Sequence, residues 1–282
     1  MQLYKTTITP ISNFGTILKG DTLFGQLCWS IRFTFGENKL NELLSDYATK
    51  PFLIVSDGFA KDFLPKPSMP SKFLKENSDQ KKTNRKKIWL KIEDLENGTY
   101  KNAKTDEEVG NINKSIATVK NSLNYKTFTT DDKGVFSPYS ESETSLSPKD
   151  IYFAISDKFT KEELHQVLYT MSQMGYGKNT TIGKGFFSFS KLVNVDRNNT
   201  SKTFMTLSPS SLEDITCKDM YYEPFTRFGK HGASLSNQNP FKKPLLLVDT
   251  GAVIHFDKQQ NIDFIGKSIQ GHSTHLQTVH QG

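Results

Sequence analysis

The sequence predicts an α+β fold made of two ferredoxin-like (RRM-like) domains. One pattern carries that expectation: a strand, a loop, a helix and further strands run from Leu3 to about Val55, and the same order returns from Ile151 to about Val195. Two β-α-β-β-type modules with short connections account for the repetition. The predicted division is 1–150, with a basic insertion at 72–91 and a protruding hairpin at about 114–143, then 151–282, with a glycine-rich loop at 175–185.

The elements follow in order. Leu3 to Ile8 alternates apolar and polar residues, the period of a half-buried strand. Asp21 is the expected N-cap of a helix over Thr22 to Phe35, where Leu23, Phe24, Leu27, Cys28, Ile31 and Phe35 recur at helical spacing. Cys28 reads as a core residue, because no histidine precedes His165 to activate a thiol. A short helix is expected over Asn38 to Tyr47, and Phe52 to Ser56 reads as a buried strand. Between Lys72 and Lys91 lie eight basic residues and two acidic ones, with Trp89 inside the run. Such a run is either a solvated face or an anion-binding one.

From Lys114 to Glu143 the chain is polar and rich in hydroxyls. Asp132-Lys133-Gly134 is a turn signal between Tyr125 to Thr129 and Val135-Phe136, so an exposed β-hairpin is expected there. Ile151 to Ile155 reads as a strand. Thr160 with Glu163 is a capping box ahead of a helix whose buried stripe is Leu164, Val167, Leu168 and Met171. Strands are expected over Phe186 to Val195, Thr203 to Leu207, Tyr221 to Phe228 and Leu245 to Phe256.

The segment Gly175-Tyr176-Gly177-Lys178-Asn179-Thr180-Thr181-Ile182-Gly183-Lys184-Gly185 stands out. Its glycines allow positive φ and close backbone approach, so successive N–H groups can turn toward an anion. Lys178 and Lys184 add point charges suited to phosphate. No G-x-x-x-x-G-K-[ST] register fits, and a helix precedes the loop where a dinucleotide fingerprint requires a strand. A clamp for a nucleic-acid backbone is the reading that remains beside a plain helix-to-strand connection.

Composition agrees with a polyanionic partner. The formal charge is +6, and 32 of the 36 basic residues are lysines, which favours sequence-blind phosphate contact over base-edge readout. Two scattered cysteines make neither a disulfide framework nor a zinc site. The opening Met1-Gln2-Leu3-Tyr4-Lys5 lacks the regions of a signal peptide, and no apolar run is long enough to span a membrane. The expectation is a cytoplasmic protein without a cofactor or metal.

These motifs resemble a known family. Gly20-Asp21-Thr22-Leu23-Phe24-Gly25-Gln26-Leu27 is similar to the "S/D-T-L-F-G-A-L" helix start of the RAMP superfamily, the RNA-binding repeat proteins of CRISPR effectors. Gly175 to Phe187 resembles their glycine-rich loop. Lys120 to Tyr125, ahead of Gly134-Val135-Phe136, resembles their thumb segment, with Asn124-Tyr125 standing where Asp-Arg is usual. Tyr222 to Lys230 and Gly251 to Ile254 resemble strands of the branch found in type III-A Csm complexes.

The resemblance implies a non-catalytic RNA-binding subunit. It would hold the repeat-derived 5′ tag of the CRISPR RNA, displace a base with its thumb, and bridge the large cyclase/nuclease subunit to the backbone subunit. The residues so implicated in RNA binding are Lys19, Gly20 and Thr22 at the helix start; Asn121, Tyr125, Phe128 and Phe136 in the thumb; Gly175, Tyr176, Gly177, Lys178, Asn179, Thr180, Gly183, Lys184 and Gly185 in the loop; and Arg227, Lys230, His231 and His272 beyond it.

Rival readings remain open on sequence. A metal-independent endoribonuclease of the same superfamily would need a general base, for which His231 in Gly229-Lys230-His231-Gly232 is the residue to test. His272, His275 and His280 invite a metal, but their spacing matches no standard zinc site. Asp131-Asp132 could be a slicing aspartate, although a solvated turn fits the adjoining lysine better. A protein-interaction module, with its basic face against an acidic partner, is a further class.

Overall fold

The computed structural model describes residues 1–282 other than 132, 198, 233, 234, 236–238 and 274–277. The turn residue Asp132 and His275, both singled out above, therefore lie outside the described residues. The chain is a mixed α/β protein with antiparallel sheets.

β1 (Gln2–Pro10) leads through a loop into α1 (Gly20–Phe35), then α2 (Glu37–Leu44) and the short strands β2 (Leu53–Val55), β3 (Phe59–Ala60) and β4 (Leu64–Pro65). The basic segment holds α3 (Lys81–Lys86) and β5 (Trp89–Leu90), and α4 (Ile92–Glu96) follows. β6 (Lys114–Lys120) and β7 (Tyr139–Ser145) pair as a hairpin. Next come β8 (Lys149–Ile155), α5 (Lys161–Met174), β9 (Phe187–Phe189) and β10 (Val193–Asn194). The remainder holds β11 (Thr200–Met205), β12 (Asp219–Tyr221), β13 (Pro224–Arg227), β14 (Leu245–Val248) and β15 (Val253–Asn261).

The expected pair of ferredoxin-like domains divided at 150 is corrected by the strand pairing. β8 lies between β1 and β2 in one six-stranded sheet of order β10-β1-β8-β2, with β3 and β9 extending its ends. Leu3 pairs with Ala154 and Thr6 with Ile151, while Leu53 pairs with Ile155. The two strand-helix-strand patterns are halves of one sheet. Periodicity cannot show this, because hydrophobic spacing states which face a strand buries and not which strand lies beside it.

α1 and α5 cover one face. Leu23, Phe24, Leu27 and Ile31 meet Leu164, Val167, Leu168 and Met171 over Ile8, Ile151 and Phe153. The capping box forms as expected: Glu163 N–H donates to Thr160 Oγ1 (3.1 Å) and Thr160 N–H to Glu163 Oε2 (2.8 Å). The opposite face packs Tyr152 against Phe59, Trp89 and Leu207. With both faces covered, β8 is buried throughout, as its unbroken apolar run requires. α1 begins at Gly20, so Asp21 lies inside the first turn rather than capping it, and Cys28 packs against the core as expected.

Beyond Val195 the described residues hold no α-helix. They form the sheet β11-β15-β12 and the pair β13-β14. The hairpin also differs from expectation. Its ladder joins 114–120 to 139–145, and the segments expected as strands, Tyr125 to Thr129 and Val135-Phe136, lie in the connection. Tyr125 and Phe128 there stay about four-fifths exposed, whereas Phe136 is half-buried. No helix among the described residues is long and apolar enough to cross a membrane.

Candidate nucleic-acid interface

The glycine-rich loop is built into the segment that precedes α1. Gly175 ends α5 with φ 80°, and Asn179 and Gly183 are left-handed around a single 3-10 turn. Gly185 cannot be replaced: a Cβ there would lie 2.1 Å from the Tyr176 carbonyl oxygen. At Gly177 a Cβ would lie 2.5 Å from Thr16 Cβ. The loop thus needs glycine for close packing as much as for turning. Tyr176 is fully buried and donates its hydroxyl to Ile17 O (2.8 Å), and burial raises its phenol well above the ordinary range.

Several amides at the ends of the loop are turned inward, to the segment before α1 and to the loop itself. Tyr176 N–H donates to Gly185 O, Gly185 N–H to Asn13 O, Lys178 N–H to Thr16 Oγ1 and Phe186 N–H to Ser12 Oγ. These donors are satisfied by the protein itself. The loop lysines are likewise engaged, by the hairpin. Lys178 Nζ lies 3.2 Å from Glu141 Oε1, and Lys184 pairs with Glu143. Glu141 also accepts from Lys120, and that bond, with those from Asn179 and Lys178, holds its carboxyl down at about 2. The backbone bridge between Phe14 and Thr144 closes the joint. Loop, pre-helix segment and hairpin base are one assembly.

At the start of α1 three carboxylates take up the expected RNA-binding cations. Lys19 Nζ lies 2.6 Å from Asp249 Oδ1 and 2.9 Å from Asp57 Oδ2. Burial works to lower the Lys19 ammonium, but the two carboxylates outweigh it and raise it. Burial pushes the Asp57 carboxyl up against the opposing pull of Lys19, and the Gly20 amide donates to Asp57 Oδ1 (2.7 Å). Arg227 grips Asp21 with two bonds, Nε to Oδ2 (2.6 Å) and Nη2 to Oδ1 (2.7 Å). Thr22 is half-buried beside Asp21, to which its N–H donates (2.8 Å). Lys19, Gly20, Thr22 and Arg227 therefore come together, as part of the joint between the main sheet and β13-β14.

The other expected residues divide into two groups. Asn121, Tyr125, Phe128 and Phe136 lie in the connection beyond the hairpin ladder. Lys230 is exposed, with its Nζ 4.9 Å from the Phe241 ring centre, and Phe228 beside it is largely exposed. His231 is buried, its Nε2 2.6 Å from Ser273 Oγ. His272 and His280 are buried with ring centres 5.6 Å apart, and burial lowers both to about 4. No group of three or more His, Cys, Asp and Glu among the described residues could hold a metal.

Sequence reasoning missed Glu141, Glu143, Asp57 and Asp249, whose partners are far away in the chain and leave no local signal. It also missed Phe228 and Phe241, although the adjoining Lys230 and Lys242-Lys243 put cations beside aromatics. Such groupings suit single-stranded nucleic acid, by base stacking on the rings and phosphate contact with the lysines.

No protein-family model matches the chain, and no curated protein matches it in sequence. Solved structures do match. A chain of the "Csm1-Csm4 cassette in complex with cA4" aligns with TM-score 0.61 and 15% identity over 99% of this chain and 95% of that one. One from the same cassette in complex with one ATP aligns with TM-score 0.60 and 14% identity over the same shares. A chain of the "Csm3-Csm4 subcomplex in the type III-A CRISPR-Cas interference complex" aligns with TM-score 0.60 and 16% identity over 99% of each chain. Csm4 is the component common to these assemblies, and along nearly its whole length this chain has the fold found there.

Proposed function

We propose that this protein is a non-catalytic RNA-binding subunit of a type III-A CRISPR effector complex, acting in the cytoplasm. It holds the 5′ repeat-derived tag of the CRISPR RNA and bridges the large subunit to the backbone subunit. The six-stranded sheet with α1 and α5 is the ferredoxin-like unit of the reading, and the β6–β7 hairpin is its thumb. The observation that carries it is the joint between glycine loop, pre-helix segment and hairpin base, in a chain with the fold found in Csm1–Csm4 and Csm3–Csm4 assemblies.

RNA lies across the loop lysines in this reading, exchanging the Glu141 and Glu143 carboxylates for phosphates. Exposed Tyr125 and Phe128 wedge between bases, and Phe228 and Phe241 stack others. The nuclease alternative is the weaker one, because His231 is buried and engaged with Ser273.

The test is a mobility shift with tag RNA and scrambled RNA across a salt series, together with incubation of repeat RNA with and without Mg²⁺. Salt-sensitive binding without cleavage is expected. Cleavage that disappears in His231→Ala would overturn the non-catalytic assignment, and salt-independent association with protein partners alone would favour an interaction module.

A further inference from the structure

A cleft of about 280 Å³ opens between the segment before α1, the β2–β3 connection and the foot of the hairpin. Phe59, Pro65, Trp89 and Leu146 give it apolar, partly aromatic walls. Trp89 is fixed in place, since its Nε1–H donates to Asp106 Oδ1 (2.8 Å).

Lys149 lines this cleft at the first residue of β8. Its residue is 4% exposed. The ammonium donates to Asn111 Oδ1 and to Ser147 Oγ (3.2 Å), and among the described residues no carboxylate pairs with it. An ammonium has three donors, so one is left over. A buried cation without a counter-ion is costly, and its leftover donor calls for an acceptor. Burial lowers the Lys149 amine to about 8, with Asp106 pulling the other way, and the third donor belongs to the ammonium form.

The other charged groups facing the cleft are Lys19, Asp57 and Asp249. Two cations and two carboxylates cancel, so the cleft favours a neutral occupant that offers both donors and acceptors. The aromatic side chains of Phe59 and Trp89 among the apolar walls suit a planar one. The volume suits one ring system with its sugar rather than two stacked units.

We propose that this cleft takes a single nucleobase. Lys149 and Asn113 donate to its ring nitrogen or carbonyl, Asp249 accepts from its amino or imino group, and Phe59 and Trp89 flank its face. The inference rests on the RNA-binding function: Ile17 borders the cleft and receives the Tyr176 hydroxyl of the glycine loop, so a strand crossing the loop passes the mouth. A base drawn out of a strand into a pocket with polar edges and apolar faces is a general mode of recognition.

The experiment uses the full chain and Lys149→Met, which removes the unpaired cation at similar volume, with Lys149→Gln as a second variant. Thermal shift with adenosine, guanosine, cytidine and uridine at millimolar concentration comes first, then binding of RNAs carrying one abasic position each. One nucleoside should raise the wild-type Tm and leave Lys149→Met unmoved. One abasic position should weaken wild-type binding roughly tenfold and the variant's not at all.

Nucleoside shifts that are equal in wild type and variant, or absent from both, overturn the proposal. So does an abasic scan that is the same for both proteins. If the RNA binds in a salt-dependent way but neither the scan nor Lys149→Met matters, the cleft assignment falls and the RNA-binding function stands. If no RNA binds, that function falls, and the nucleoside shifts alone decide the cleft.

Discussion

Asp21 and Arg227, 206 positions apart, form a two-bond ion pair in which the carboxylate is completely buried. It ties the first turn of α1 to β13, and so the main sheet to the C-terminal strands. Its partner geometry is the fork that guanidinium offers and ammonium does not.

Breaking this pair from one side should be severe. Arg227→Met leaves Asp21 buried without its counter-ion, for a loss of about 3–5 kcal/mol in urea unfolding. The double variant Asp21→Asn with Arg227→Met should recover much of that loss. A single variant as stable as wild type would show that the pair does not hold the two parts together.

The loop lysines and hairpin glutamates make opposite predictions for RNA. Lys178→Ala with Lys184→Ala should weaken binding across sequences and reduce the log–log salt slope by roughly 1.4, at about 0.7 per lost single-strand contact. Glu141→Gln with Glu143→Gln frees the same lysines and should tighten binding. Fluorescence anisotropy across a salt series reads both, and identical slopes in all variants would reduce the loop to a connector.

Acid should loosen the C-terminal segment. His272 and His280 titrate near 4 when folded, because burial disfavours the charged ring, against about 6.5 when unfolded. Between those values the unfolded chain binds more protons, so stability rises with pH and is lost as pH falls from about 6.5 toward 4. A Tm–pH series should show that slope, and His280→Gln should flatten it. The groups facing His280 are Asp21, which opposes the shift, and Lys242, His272 and Arg227, which support it.

The hairpin's far end should be separable from folding. Replacing residues 122–137 with a short Gly-Ser turn keeps the β6–β7 ladder and both glutamates. The Tm should change little, because Tyr125, Phe128 and Val135 are largely exposed. Association with the neighbouring subunits should suffer. A large fall in Tm would place this segment in the core.

What the sequence determined by itself is local. The Thr160–Glu163 capping box, the buried stripe of α5, the apolar face of α1 and the positive-φ glycines of the loop depend on neighbours within a few positions. Each was legible from residue type and spacing. Residue type also singles out the glycine loop and the start of α1, without showing that the loop packs on the segment before that helix.

Tertiary structure alone decided what lies beside what. It placed β8 between β1 and β2 and so made one sheet of two apparent domains. It supplied Asp57, Asp249, Glu141 and Glu143 to cations that the sequence offers to phosphate, and among the described residues it left Lys149 without a carboxylate. The physical reason is common to all of these. Burial and charge act through distance in space, whereas periodicity and capping act through distance along the chain.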